Sequence, residues 1–226
     1  MNSLQLKAIA FDLDGTLVDS VPDLAAATQA MLSELELNLC TEQQVRTWVG
    51  NGAEMLVKRA LTYVNMGEPT AKQLSHALAV FLKHYKLHLN KHSRLYSGVK
   101  NTLERLHQQG YQLAIITNKP FQFISPLLAA FEIEPYFDLI LGGDSLAEKK
   151  PNPLPINHIL TQWKLDKSQL LMVGDSKNDI VAAKSAGIAS IGLTYGYNYG
   201  EDIGLYGPNA VFDEFESILS WINQHT

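Results

Sequence analysis

Five short apolar runs set the main constraint on how this chain can fold. Ala8 to Phe11, Leu113 to Ile116, Leu139 to Leu141, Leu170 to Val173 and Ser190 to Leu193 have strand length and the texture of strands buried on both faces. Most lead into helical periodicity. Val99, Leu103 and Leu106 form one stripe, stopping at Gly110; Ile156, Ile159, Leu160 and Trp163 form a second, and Phe215, Ile218, Leu219 and Ile222 a third. Strand and helix in alternation predict an α/β protein built on a doubly wound parallel sheet. At 226 residues and 46% hydrophobic the chain can bury such a core, and it is too apolar to be an extended disordered polymer.

One connection breaks the rhythm. Residues 17–96 read as several helices with no convincing strand: Leu24, Met31, Leu32 and Leu35 mark the first, with Pro22 tolerated in its opening turn. Thr41 with Gln44, and Thr70 with Gln73, have the spacing of capping boxes that open two more. Gly50-Asn51-Gly52 punctuates between them. An insertion this long predicts a small helical cap domain, 17–96, set into a Rossmann-like core made of 1–16 and 97–226. The cap carries eight Lys and Arg against seven Asp and Glu, a net of +1, which leaves −6 for the core.

The whole-chain charge of −5 argues against a nucleic-acid or membrane-surface binder, which needs a basic patch. Cys40 is the single cysteine, so neither an intramolecular disulfide nor a Cys-x-x-Cys site is available. The first apolar run, bounded by Lys7 and Asp12, is far shorter than a signal-peptide core or a membrane span. A cytoplasmic location is the expectation.

In an open α/β sheet, ligands sit beyond the carboxyl ends of the strands. After the first run come Asp12, Asp14, Gly15 and Thr16; after the second, Thr117, Asn118 and Lys119; after the third, a stretch ending in Lys149-Lys150-Pro151; after the fourth, Gly174, Asp175, Ser176 and Asp179. Several carboxylates gathered there repel one another unless a cation neutralises them. A hard divalent ion such as Mg²⁺, bound by oxygen, is the obvious solution. Beside such an ion an ionised Asp can attack an electrophile that is itself anionic, as a phosphoryl group is.

The string Asp12-Leu13-Asp14-Gly15-Thr16-Leu17-Val18-Asp19-Ser20 resembles the first motif of the haloacid dehalogenase-type phosphatases. Ile115-Ile116-Thr117-Asn118 resembles their second motif, Lys150-Pro151-Asn152-Pro153 their lysine motif and Gly174-Asp175-Ser176-Lys177-Asn178-Asp179 their acidic fourth, all in family order. Gly50-Asn51-Gly52-Ala53 and Tyr195-Gly196-Tyr197-Asn198-Tyr199-Gly200-Glu201 look most like the bacterial branch that hydrolyses 2-phosphoglycolate, with Asn152 where those relatives more often hold His. The resemblance implies that Asp12 is a nucleophile forming an aspartyl-phosphate and that Asp14 serves as acid and then base. It implies that Thr117 and the neighbouring amide of Asn118 hold phosphate, with Lys150 offsetting its charge. Mg²⁺ would be bound by Asp12, the Asp14 carbonyl and Asp175, with Asp179 as a ligand or a partner behind the ligands. The implied substrate is a small anionic phosphate ester, and Arg46, Lys58 or Arg59 of the cap is expected to meet its carboxylate.

Each of these residues also has an ordinary reading. Asp after a strand is a turn former, Thr-Asn is turn chemistry, and Ser176 with Asp179 has the spacing of a helix capping box. Lys149 competes with Lys150, and Pro151 favours the latter by family pattern. His84, His88 and His92 share a four-residue spacing that invites a zinc site, yet neighbouring Lys83, Lys86 and Lys91 make a solvated basic face the better expectation. No Gly-x-x-x-x-Gly-Lys-Ser/Thr string is present. A sugar phosphomutase or a nucleotidase would share these motifs. A phospho-accepting receiver module would lack both Asp14-Gly15-Thr16 and the helical insertion, and a dehalogenase would lack Asp14.

Overall fold

The computed structural model describes residues 5–225; residues 1–4 and 226 of the expected core lie outside that range. The chain opens with β1 (Ala8–Phe11) and β2 (Val18–Asp19), then runs through α1 (Val21–Glu34), α2 (Glu42–Arg46), α3 (Ala53–Asn65) and α4 (Ala71–His88). It returns through β3 (Arg94–Leu95), α5 (Val99–Gln108), β4 (Gln112–Ile116), α6 (Ile124–Ala130), β5 (Leu139–Leu141) and α7 (Leu154–Trp163). The last third holds β6 (Leu170–Gly174), α8 (Lys177–Ala186), β7 (Ala189–Leu193), β8 (Ala210–Phe212) and α9 (Ser217–His225).

Six strands form one sheet in the order β5-β4-β1-β6-β7-β8, every pair parallel. Alternate side chains sort onto its two faces. Ile9, Phe11, Leu113, Ile115, Leu171 and Val173 pack with α5, α6 and α9. Ala8, Ala10, Ala114 and Met172 pack with α7 and α8, where the small alanines admit close helices. Helices on both faces make the sheet doubly wound, and the strand order reverses across β1, which places the crevice at the carboxyl end of β1.

Helices α1 to α4 bury their apolar stripes against one another around Leu32, Val57, Phe81 and Tyr85, a cluster separate from those of the sheet. Both expected capping boxes form: Thr41 and Thr70 accept from the amides of Gln44 and Gln73, whose side chains reach back. Pro22 sits in the first turn of α1.

Two features differ from the sequence reading. The helical segment is entered and left through β2 and β3, which pair antiparallel, Val18 with Leu95 and Asp19 with Arg94. Strands of two residues carry no periodicity. The edge strand β8 is three residues long with Val211 exposed, too short and too open to read as a buried run. The basic histidine face is solvated as expected, with Lys83, Lys86, Lys91 and His92 exposed, and Glu34 of α1 accepts from Lys83 at 2.9 Å and lies 2.7 Å from His84. Among the described residues those histidines form no candidate metal cluster. No described helix is long and apolar enough to cross a membrane.

Candidate active site

The carboxyl ends of four parallel strands meet where the sequence places its acidic and basic groups. Asp12 follows β1, and its amide donates to the Val173 carbonyl at 3.0 Å, which aligns it with the end of β6. The chain then turns at Gly15, whose φ of +94° few residues with a side chain adopt, and a Cβ there would lie 2.3 Å from a carboxylate oxygen of Asp175. That turn brings Thr16 round to donate to Asp175 Oδ1 at 2.6 Å, while the Tyr197 amide donates to Oδ2 at 2.6 Å.

Asp179 opens α8. Its Oδ2 accepts from the amide and hydroxyl of Ser176, both at 3.0 Å, so the capping box exists. Its other oxygen accepts from Lys150 at 2.6 Å. The capping role and an electrostatic role therefore coexist on two oxygens of one carboxylate. Lys150, buried, also lies 2.9 Å from Asp12 and bridges the two acids, whereas Lys149 does not.

Asp12, Asp175 and Asp179 each present an oxygen within 4.8 Å of the others, all buried. Burial, and then the neighbouring Asp179, push the Asp12 carboxyl up to about 7 against the pull of Lys150. Asp175 is driven up in the same way, by burial first and then by Asp12 and Asp179. One lysine does not neutralise this set. An all-oxygen cluster of crowded carboxylates is the donor chemistry that a hard divalent cation relieves, so the residues fit such an ion.

A cavity of about 40 Å³ lies beside Asp12. Its floor is Asp12, Asp14, Thr117, Asn118 and Lys119, and its roof is mainly Leu24, Val49, Leu56, Phe81 and Tyr85. Asn118 spends its side-chain amide on the carbonyls of Gly50 and Lys150, both at 2.9 Å, which ties the end of β4 to the Gly50 turn and to the lysine loop.

The three cap cations expected at the substrate do not line this cavity. Lys58 pairs with Glu68 at 2.7 Å in a separate surface groove. Arg46 pairs with Asp19 at 3.3 Å and lies over the Tyr197 ring. Arg59 donates to the Trp48 carbonyl and to Asn51 at 2.7 Å. Leu56 of α3 lines the cavity, and the two basic residues that follow it are drawn off by other partners, Lys58 by Glu68 and Arg59 by Trp48 and Asn51. The cation that does line it is Lys119, donating to both oxygens of Asp14 at 2.9 and 3.1 Å. Its position directly after Thr117-Asn118 at a strand end was the available signal. Tyr85, which accepts from Lys119, gave none, because it reads as one more apolar position of α4.

A doubly wound parallel sheet with aspartates at the ends of β1 and β6, roofed by an inserted helical unit, sets the class of α/β fold. Residues 9–193 match the haloacid dehalogenase-like hydrolase family, and the chain belongs to it. It is 49% identical over 217 residues to the phosphoglycolate phosphatase of Aliivibrio fischeri, covering 95% of this chain and 96% of that one. The phosphoglycolate phosphatase of Colwellia psychrerythraea is 46% identical over 224 residues, covering 97% and 98%. The crystal structure of a predicted phosphoglycolate phosphatase from Haemophilus somnus superposes with a TM-score of 0.92 at 45% identity, covering 96% of this chain and 98% of that one.

Proposed function

We propose that the protein is a Mg²⁺-dependent phosphatase that hydrolyses 2-phosphoglycolate to glycolate and phosphate, with residues 17–96 serving as a cap over a catalytic core. The observation that carries the reading is Asp12, buried against Lys150 and two further carboxylates at the edge of a small roofed cavity. The names of the similar proteins support the substrate.

Asp12 attacks phosphorus, and the bond from phosphorus to the ester oxygen breaks. Asp14 gives its proton to the departing alkoxide, which leaves as glycolate. It then takes a proton from water, whose oxygen attacks the same phosphorus and breaks the bond to Asp12, releasing phosphate. The hydroxyl of Thr117 and the N–H of Asn118 hold phosphate oxygens, and Lys150 offsets charge on Asp12 and on the transferred group. Asp12, Asp175 and the Asp14 carbonyl would hold Mg²⁺, which supplies charge neutralisation at the phosphoryl oxygens, with Asp179 set beside them by Ser176 and Lys150. The apolar roof keeps bulk water from the intermediate.

A panel of phosphate esters assayed with Mg²⁺ and with EDTA tests this. The expected result is turnover that collapses on chelation and a kcat/KM highest for 2-phosphoglycolate. Turnover unaffected by chelator removes the metal, and a higher kcat/KM for nucleotides or sugar phosphates removes the substrate.

A further inference from the structure

The substrate proposed above carries a second anion, the carboxylate of its leaving group, and the cap cations are turned away from the cavity. We infer that Lys119 is the specificity-determining residue that receives this carboxylate, an inference that rests on the phosphatase reading. Among the described residues lining the cavity it is the one cation. It belongs to the floor, yet its ammonium stands beneath the roof, 4.7 Å from the centre of the Tyr85 ring and donating to the Tyr85 hydroxyl. Its side chain is only 2% exposed, so bulk water neither solvates nor screens it.

The alternatives stand elsewhere. Lys150 is locked between Asp12 and Asp179, Arg46, Lys58 and Arg59 serve pairs outside the cavity, and Lys149, whose ammonium would lie 3.2 Å from a Cβ on Gly52, lines a neighbouring groove and not the cavity itself. The roof opposite Lys119 is apolar except for Tyr85 and the Gly50 to Gly52 turn. Helix α3 begins at that turn with no side-chain cap on its first amides, so its positive end adds to the preference for an anion. Gly52 lets it come that close, because a Cβ there would sit 2.8 Å from the Asn118 carbonyl.

The present partner of Lys119 gives the arrangement a further consequence. Both Asp14 oxygens accept from Nζ, and these are the atoms that must exchange protons with the leaving group and the water. A substrate carboxylate that takes Nζ frees an Asp14 oxygen for that exchange. The ammonium passes from one carboxylate to another, so Lys119 itself is never left unpaired. Recognition of the correct leaving group and release of the acid/base become one event. An ester of equal size with a neutral tail leaves Lys119 on Asp14 and forgoes both gains.

The test compares 2-phosphoglycolate with 2-hydroxyethyl phosphate, in which the carboxylate is replaced by a hydroxymethyl group. The expected preference of the unmodified enzyme in kcat/KM is about 100-fold or more. Lys119→Met should reduce that ratio to below about 5, mainly through a raised KM for 2-phosphoglycolate. Lys119→Gln, which keeps a polar end against Asp14 and Tyr85, should do the same and serves if the first variant does not fold. A purely structural lysine lowers both esters together and leaves the ratio intact, which would overturn the inference. Calorimetric binding of both esters to the Asp12→Asn protein with Mg²⁺ separates this from the phosphatase reading. If the unmodified enzyme turns over neither ester but Asp12→Asn binds 2-phosphoglycolate preferentially, and Lys119→Met on that background erases the preference, the phosphatase reading falls and the lysine stands. A binding preference that survives Lys119→Met removes the lysine whatever the turnover.

Discussion

Floor and roof of the cavity are built from opposite materials. The floor presents Asp12, Asp14 and Lys119 with the polar Thr117 and Asn118, whereas the roof is led by Leu24, Val49, Leu56 and Phe81. The floor's groups stand at the ends of parallel strands whose neighbours are wholly buried, so their positions are fixed by sheet register. The roof's residues belong to helices with an apolar cluster of their own, joined to the sheet through β2 and β3. The division places the charged groups on the sheet and the apolar cover on the helical insert, and a dry roof raises the value of every charge below it.

The sharpest way to break this comparison is to remove the nucleophile from the floor. Asp12→Asn is expected to lower kcat by about 10⁴-fold or more, because no neighbouring group can form the covalent intermediate in its place. The same change should raise the melting temperature of the metal-free protein at pH 8. An amide carries no charge to desolvate, whereas burial makes the Asp12 carboxylate costly, and Lys150 keeps Asp179 as its partner. A variant that is fully active would move the nucleophile elsewhere. One that is inactive and less stable would show that the Asp12–Lys150 pair supports the fold.

A smaller effect separates floor from roof by pH. With its pKa raised from 3.8 to about 7, Asp12 holds its proton more tightly in the folded than in the unfolded chain. The resulting stabilisation is complete below about 3.8 and is lost as the pH rises through about 7. Asp175, shifted in the same direction by burial and the neighbouring carboxylates, adds to the loss. The melting temperature of metal-free protein should therefore fall between about pH 5 and 8, on the order of 5 °C at about 3 °C per kcal/mol for a chain of this size. The stabilisation by Mg²⁺ should grow over the same interval, since the ion binds the deprotonated carboxylates. Melting curves with and without Mg²⁺ across this interval decide it. A Mg²⁺ shift that is constant with pH would place the ion away from the Asp12 cluster.

The two regions also differed in how far the amino-acid sequence exposed them. Each floor residue follows a buried run, so an apolar stretch followed by Asp12 or Thr117 announced both the strand and what stands at its end, as it did for Asp175 beside the floor. The roof offered only helical stripes and capping boxes. These locate α1, α2 and α4 but not which side chains look down, because that depends on how the helices pack and how the insert sits on the sheet. Arg46, Lys58 and Arg59 were plausible by charge and are turned aside by geometry. Tyr85 was hidden because a tyrosine in an apolar stripe reads as core. Lys119 lay in plain view beside the Thr-Asn pair, but only the folded chain shows that the cap lacks a competing cation.

The seam between the two regions should yield the smallest effect. The Gly50 carbonyl accepts from Asn118 at 2.9 Å and Asn178 at 3.1 Å, while the Tyr199 hydroxyl donates to Asn51 at 2.7 Å and accepts from Asn178 at 3.2 Å. Tyr199 thus ties the tip of the insert to α8 without touching the cavity. Its ring lies beside Arg59 at 5.3 Å and Lys177 at 5.0 Å. Tyr199→Phe keeps the ring beside the cations and deletes the hydroxyl, removing two hydrogen bonds from a set of several. A loss of about 1 kcal/mol is expected, a fall of about 3 °C in melting temperature. If the tip tie holds the roof down over bound ester, KM for 2-phosphoglycolate should rise about threefold while kcat stays within about twofold, because the floor is untouched. A fall in kcat with KM unchanged would mean instead that the seam reaches the floor, through Asn178 and the start of α8, and that the two regions are mechanically less separate than their compositions suggest.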